Sequence, residues 1–142
     1  MPVVVVGGAV LLLMPGMAFG EPPVPDGRPL VLPSGAFTGT WRDEDGGRLV
    51  LRADGTFASD GTCGDFSGPG LTDALSPAPG AGTWSASGTN ADVPVTRVQV
   101  GFAPGGVWTV YEARGTAERP VLWQHLGDPD DGALCVLSRA GT

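Results

Sequence analysis

The sequence has no lysine and a single histidine, and its 15 acidic residues outnumber eight arginines, for a formal charge of −7. Without a lysine amine, Schiff-base catalysis and the phosphate-cradling P-loop are excluded. The acidic balance also lacks the basic footprint of a nucleic-acid-binding protein, so no nucleic-acid partner is expected. No segment carries the length and 3.6-residue apolar period of an amphipathic helix, which argues against parallel sheets joined by crossover helices. Neither Cys-x-x-Cys nor Gly-x-Ser-x-Gly occurs, so a dithiol redox centre and a nucleophile elbow have no sequence support.

Glycine (24) and proline (14) are plentiful. Valine, leucine and tryptophan nevertheless recur in short regular runs between them, a pattern of turn-rich β structure rather than disorder. A lysine-free composition rich in Gly, Ala, Arg and Pro fits a high-GC genome. The 142 residues suffice for one domain with a modest core.

Val3 to Leu13 is an uninterrupted apolar stretch broken by Pro15 and Gly16. Ala18-Phe19-Gly20 then sets small residues at the −3 and −1 positions of a signal-peptidase site before Glu21. Residues 1–20 are read as a signal peptide of a secreted or otherwise extracytoplasmic protein. Two alternatives stand beside that reading. One is an N-terminal membrane anchor, although the apolar run is short of the roughly 20 residues that span a bilayer, so no stable span is expected. The other is a true start upstream of Met1, since no basic residue precedes Arg28. Residues 21–36, rich in proline, read as an extended tether, and 37–142 as a single β domain.

From Phe37 onward, eight short runs are bounded by Gly, Pro or Asp. In Phe37 to Arg42, Phe37, Gly39 and Trp41 share one face. In Arg48 to Ala53, Leu49 and Leu51 alternate with Arg48, Val50 and Arg52. Asp54-Gly55 joins that run to Thr56 to Ser59, and Asp-Gly between alternating runs is a strong hairpin signal. Ser67 to Gly82 lacks periodicity and reads as a long loop. Further runs follow at Thr83 to Ser87, Val95 to Phe102, Val107 to Ala113, Val121 to Leu126 and Ala133 to Arg139. The expected fold is all-β, an antiparallel meander of about eight strands that closes into a barrel. A β-sandwich is the alternative.

Gly39-Thr40-Trp41, followed by the hairpin of Gly47 to Phe57, resembles the opening of lipocalin-like, or calycin-type, barrels. That resemblance implies a structural role for Gly39 and Trp41, with Arg139 near the last strand covering the Trp41 ring at the closed end. Pro120-Val121-Leu122-Trp123 and Gly127-Asp128-Pro129-Asp130 are similar to segments of small exported proteins and lipoproteins of actinobacteria, a likeness that brings no activity with it.

Cys63 and Cys135 are the only cysteines, and an even count behind an export signal favours a structural disulfide over two buried thiols. The bridge would close a loop of about 70 residues, for which chain entropy gives roughly 4 kcal/mol. His125 has no marked nucleophile to serve and reads as a structural histidine at a strand end. Asp43-Glu44-Asp45 and Asp128, Asp130 and Asp131 read as solvated turn acids; the second group departs from the EF-hand pattern. No metal or cofactor is expected, because one histidine and two paired cysteines cannot furnish a zinc site.

Trp41, Trp84, Trp108 and Trp123 fall on four different runs. They stack in the core or line a ligand cavity, since an eight-stranded barrel has room for its own side chains or for one small ligand. With no acid, base and nucleophile set in view, the expected function is non-enzymatic. It is binding of a small apolar molecule or of an envelope or extracellular protein, or an interaction role with a filled core and no ligand; an enzyme of unknown class is the third alternative.

Overall fold

The structure is a computed structural model describing residues 22–68, 80–88, 92, 94–103 and 105–140. The expected signal peptide, residues 1–20, and most of the expected long loop, residues 69–79, lie outside the described residues.

The described chain forms nine strands: β1 (Arg28–Pro29), β2 (Gly39–Arg42), β3 (Arg48–Leu51), β4 (Thr56–Asp60), β5 (Gly80–Gly88), β6 (Thr96–Phe102), β7 (Trp108–Gly115), β8 (Pro120–His125) and β9 (Leu134–Arg139). From β2 to β9 each strand pairs antiparallel with the next, and β9 returns to β2. The result is the expected closed eight-stranded meander, consistent with a lipocalin-like barrel, and closure sets the sandwich alternative aside. No helix among the described residues is long and apolar enough to cross a membrane.

Alternation along the strands fills the interior. Leu49 and Leu51 of β3, Val98 and Val100 of β6, and Tyr111 and Ala113 of β7 are all at or below 2% exposed. Their neighbours in sequence face out, as the two-residue period of a strand requires. The β3–β4 hairpin turns on Asp54-Gly55, with Gly55 at φ 87°. Asp54 Oδ1 accepts from the Thr56 hydroxyl at 2.6 Å and the Thr56 amide at 2.9 Å. The hydroxyl bond in particular holds the Asp54 carboxyl below its usual range.

Three features depart from the sequence reading. Gly80, Ala81 and Gly82, expected in the long loop, already belong to β5 and pair with Ser59, Ala58 and Phe57 of β4. Phe37 belongs to a 3-10 turn, Ser34–Phe37, rather than to the first strand, which starts at Gly39 with φ 130°. Residues 28–33, expected within the tether, are part of the barrel. Arg28 and Pro29 pair with Gly115 and Arg114 of β7, continuing the sheet where β6 has not yet begun. Beyond them the Leu30 amide donates to the Ala113 carbonyl at 3.1 Å and the Thr96 amide to the Leu30 carbonyl at 2.8 Å. The Thr96 hydroxyl accepts from the Leu32 amide at 2.9 Å and donates to the Leu32 carbonyl at 3.2 Å.

This segment leads into the 3-10 turn and closes one end of the barrel. The Trp41 indole Nε1 donates to the Phe37 carbonyl at 2.9 Å, and both rings are fully buried. Arg139 lies across the other side, its Cζ 4.7 Å from the Trp41 ring centroid. Its guanidinium donates from Nη2 to the Ala36 carbonyl and from Nη1 to the Thr38 carbonyl at 3.4 Å.

Arg139→Ala is therefore expected to cost about 3 kcal/mol, from lost cation–π contact and charge-assisted hydrogen bonds. Arg139→Lys should recover less than half, because an ammonium cannot present the planar fork. Chemical denaturation of the two variants checks both; equal stability of the lysine variant and the parent would refute the assigned geometry.

Candidate functional site

At the opposite end, the chain leaving β4 turns back over the barrel mouth. Gly61 to Ser67 forms a plug in which the peptide groups of alternate residues, Cys63, Asp65 and Ser67, find partners on the barrel. The Cys63 amide donates to Asp43 Oδ2 at 2.9 Å, and the Tyr111 hydroxyl donates to the Cys63 carbonyl at 2.7 Å. The Asp65 amide donates to Gln124 Oε1 at 2.6 Å, while the Thr109 hydroxyl donates to the Asp65 carbonyl at 2.8 Å. Ser67 and Trp108 exchange two backbone hydrogen bonds of 2.8 and 2.7 Å. Phe66, 3% exposed, packs edge-on against Phe102, which in turn meets Phe57.

Cys63 and Cys135 are disulfide-bonded, with Cα atoms 5.7 Å apart and a sequence separation of 72. The bridge ties the plug to β9 and excludes the free-thiol alternative. Asp43 does more than sit in a turn. Its Oδ1 accepts from the Asp45 and Gly47 amides, so one carboxylate fixes both the β2–β3 hairpin and the plug. Asp128 similarly accepts from the Asp130 amide at 2.9 Å and caps the 3-10 turn Pro129–Asp131. Among the described residues no group of three His, Cys, Asp or Glu side chains converges to hold a metal ion.

The four tryptophans do not come together. Trp41 is fully buried at the arginine end. Trp84 is partly buried, and its indole donates to the Arg52 carbonyl beside the β3–β4 hairpin at 2.8 Å. Trp108 is 43% exposed at the plugged end. Trp123 points outward from β8, opposite Glu112 in register, because Leu122 and Ala113 take the inward positions. The four rings line no common cavity among the described residues: period-two alternation sends Trp123 to the outer face, and the interior is occupied by Phe37, Trp41, Phe57 and Tyr111.

What does converge lies outside the barrel, over β7 and β8. Trp123 is only 7% exposed although its strand position is external. The His125 ring stands edge-on to it, centroids 4.9 Å apart. A shallow groove of about 270 Å³ is bounded by Arg97, Val110, Glu112, Trp123, Gln124 and His125. The Arg97–Glu112 ion pair, 3.2 Å long and exposed, forms part of that rim.

Across this face runs the Pro-rich segment expected to be a tether. The His125 Nε2 donates to the Pro23 carbonyl at 3.0 Å, since a carbonyl can only accept. Arg114 Nε donates to the Pro25 carbonyl at 2.7 Å and Nη2 to the Gly27 carbonyl at 3.1 Å. Arg114, Trp123 and His125 share the outer face, with Trp123 lying between the two donors in register. His125 thus reaches the Pro23 carbonyl, a contact that its place in the sequence did not announce.

Comparison with protein-family models, with curated proteins and with solved structures finds no match.

Tyr111 allows the plug to be tested by pH. Burial first, and the Asp43 charge second, push its phenol well above its usual range. The folded state therefore retains the proton after the unfolded chain has lost it. Stability should be full below about pH 10 and fall progressively above it. Tyr111→Phe should cost about 1–2 kcal/mol at neutral pH through the unsatisfied Cys63 carbonyl, and should flatten the alkaline decline. Because Tyr111 is the only tyrosine, tyrosinate absorbance with parallel unfolding curves reports it directly.

Proposed function

We propose that this chain is an extracytoplasmic, non-enzymatic interaction module, a filled barrel that engages its partner from the outside rather than enclosing a ligand. The observation that carries the reading is the double occupancy of barrel and mouths. Phe37, Trp41, Phe57 and Tyr111 fill the lumen, and both ends are covered by the chain's own segments. A drug-sized ligand needs roughly 300–1,000 Å³ of largely enclosed volume. Space on that scale lies on the outer surface, in the Trp123 groove and in a broader depression of about 560 Å³ between Arg119 and Ser138.

The disulfide favours an oxidising compartment, in keeping with an export signal at residues 1–20. The Gly39-x-Trp41 corner under Arg139 supports kinship with calycin-type barrels, and the filled interior departs from the ligand-carrying members of that architecture. Non-enzymatic action fits the roles of His125 and Asp43, both of which are engaged with backbone groups.

The purified protein should show no change in melting temperature and no change in tryptophan fluorescence across a panel of fatty acids, retinoids and other apolar metabolites. Saturable stabilisation by one of them, with a shift at Trp41, would overturn the filled-module reading, because ligands that bind only the folded state raise its stability.

A further inference from the structure

We propose that the outer face of β7 and β8, beside the Trp123 groove, is a recognition surface for a proline-rich, extended peptide, engaged in cis by residues 22–27 of this chain. The inference rests on the interaction-module reading and gives that module its contact surface and class of partner.

Three prolines in the stretch Pro22-Pro23-Val24-Pro25 fix its backbone near the polyproline conformation before any contact is made. Such a chain brings little entropy to lose on binding, but it offers few N–H groups, so a receptor must read its carbonyls. That is what the barrel does. His125 addresses the carbonyl of residue 23, and Arg114 those of residues 25 and 27, a spacing of two along the ligand. Between them lies Trp123, an aromatic platform of the kind on which proline-rich segments dock. The donors and the ring come from β7 and β8, rigid elements of the barrel, and thus persist when the strap leaves.

The strap is also built to separate from the domain. Gly27 stands at its base with φ 95°. A Cβ there would fall 2.4 Å from the Gly115 Cα, so the hinge position is closed to other residues. On the far side of Gly27, β1 and Leu30 are bound into the sheet and core. On the near side, the polar contacts with the barrel are the side-chain bonds to carbonyls described above; Pro22 and Pro25 are half-buried, while Val24 is 44% exposed. A proline-rich segment of another protein presents the same carbonyl pattern and competes for the same donors.

The test uses the isotope-labelled full chain, wild type and with Pro22→Gly, Pro23→Gly and Pro25→Gly together, and a synthetic peptide covering residues 21–27. In the glycine variant the strap is loosened while Trp123, His125 and Arg114 remain. The peptide should shift the Trp123 indole and Arg114 Nε resonances saturably. The wild type should need about tenfold more peptide, because apparent affinity falls with the fraction of molecules whose groove is free. Adding Arg114→Ala should abolish the response.

A folded glycine variant whose Trp123 and Arg114 resonances ignore millimolar peptide would overturn the proposal. Collapse of the variant's dispersed spectrum would do so as well, since a strap whose loosening unfolds the barrel is not displaceable. Exchange of straps between two copies, seen as a dimer by sedimentation, would overturn the assignment to a separate partner. Failure of the groove alone is distinguishable from failure of the module: in the first case Trp41 stays silent to apolar ligands, and in the second it responds.

Discussion

The barrel depends on its shortest seam. Every neighbouring pair from β2 to β9 shares at least four registered residue pairs, but β9 and β2 share two, Trp41 with Arg139 and Arg42 with Ser138. A seam that short would fray if backbone bonds were all that held it, because each contributes only about 1 kcal/mol net. Arg139 supplies the remainder. One guanidinium covers the Trp41 ring and reaches back to carbonyls of residues 36 and 38, locking the last strand, the first strand and the 3-10 turn at one point. Once that point is fixed, the chain before β2 has to pass beneath the barrel's end, and Leu30, Leu32 and Phe37 become its floor.

The plugged end solves a different problem. A loop folded into a barrel mouth carries peptide groups away from water, and an unpaired buried group costs about 1–3 kcal/mol. Asp43 of the β2–β3 hairpin, Thr109 and Tyr111 of β7 and Gln124 of β8 are the polar side chains that meet those groups. The disulfide then lowers the entropy of the unfolded chain, while the hydrogen bonds choose where the loop sits. The buried hydroxyls follow the same logic: Thr62 donates to the Arg48 carbonyl, which leaves Ser59 to donate to Thr62.

Much of this architecture is legible in the sequence because period two is unambiguous when turns interrupt it often. Leu49 and Leu51 inward, Asp54-Gly55 at a hairpin, and eight strands in order follow from local pattern alone. The side to which Trp123 points does not. Leu122 and Trp123 are adjacent and both apolar, so alternation in Val121-Leu122-Trp123 has no polar partner to set its phase. β1 is two residues long and includes a proline, too short to show any period. The strap is the deeper difficulty. Proline content points to an extended chain, but extension is equally the property of a free tether and of a docked segment, and only the distant Arg114 and His125 distinguish them.

The boundary between strap and strand is chemical. Pro22, Pro23 and Pro25 have no N–H to donate to a ladder, so while proline dominates the chain is held from its carbonyls by side chains of the barrel. After Gly27 the β7 edge, beyond the start of β6, accepts an added strand, and Leu30 restores a donor that reaches the Ala113 carbonyl. Side-chain bonds at a solvent-facing surface contribute roughly 1 kcal/mol each and can be exchanged, whereas the ladder and the leucines beyond it are part of the cooperative core. The same N-terminal segment is therefore divided into a part that can leave and a part that cannot, and the division falls at the glycine where proline gives way to paired backbone.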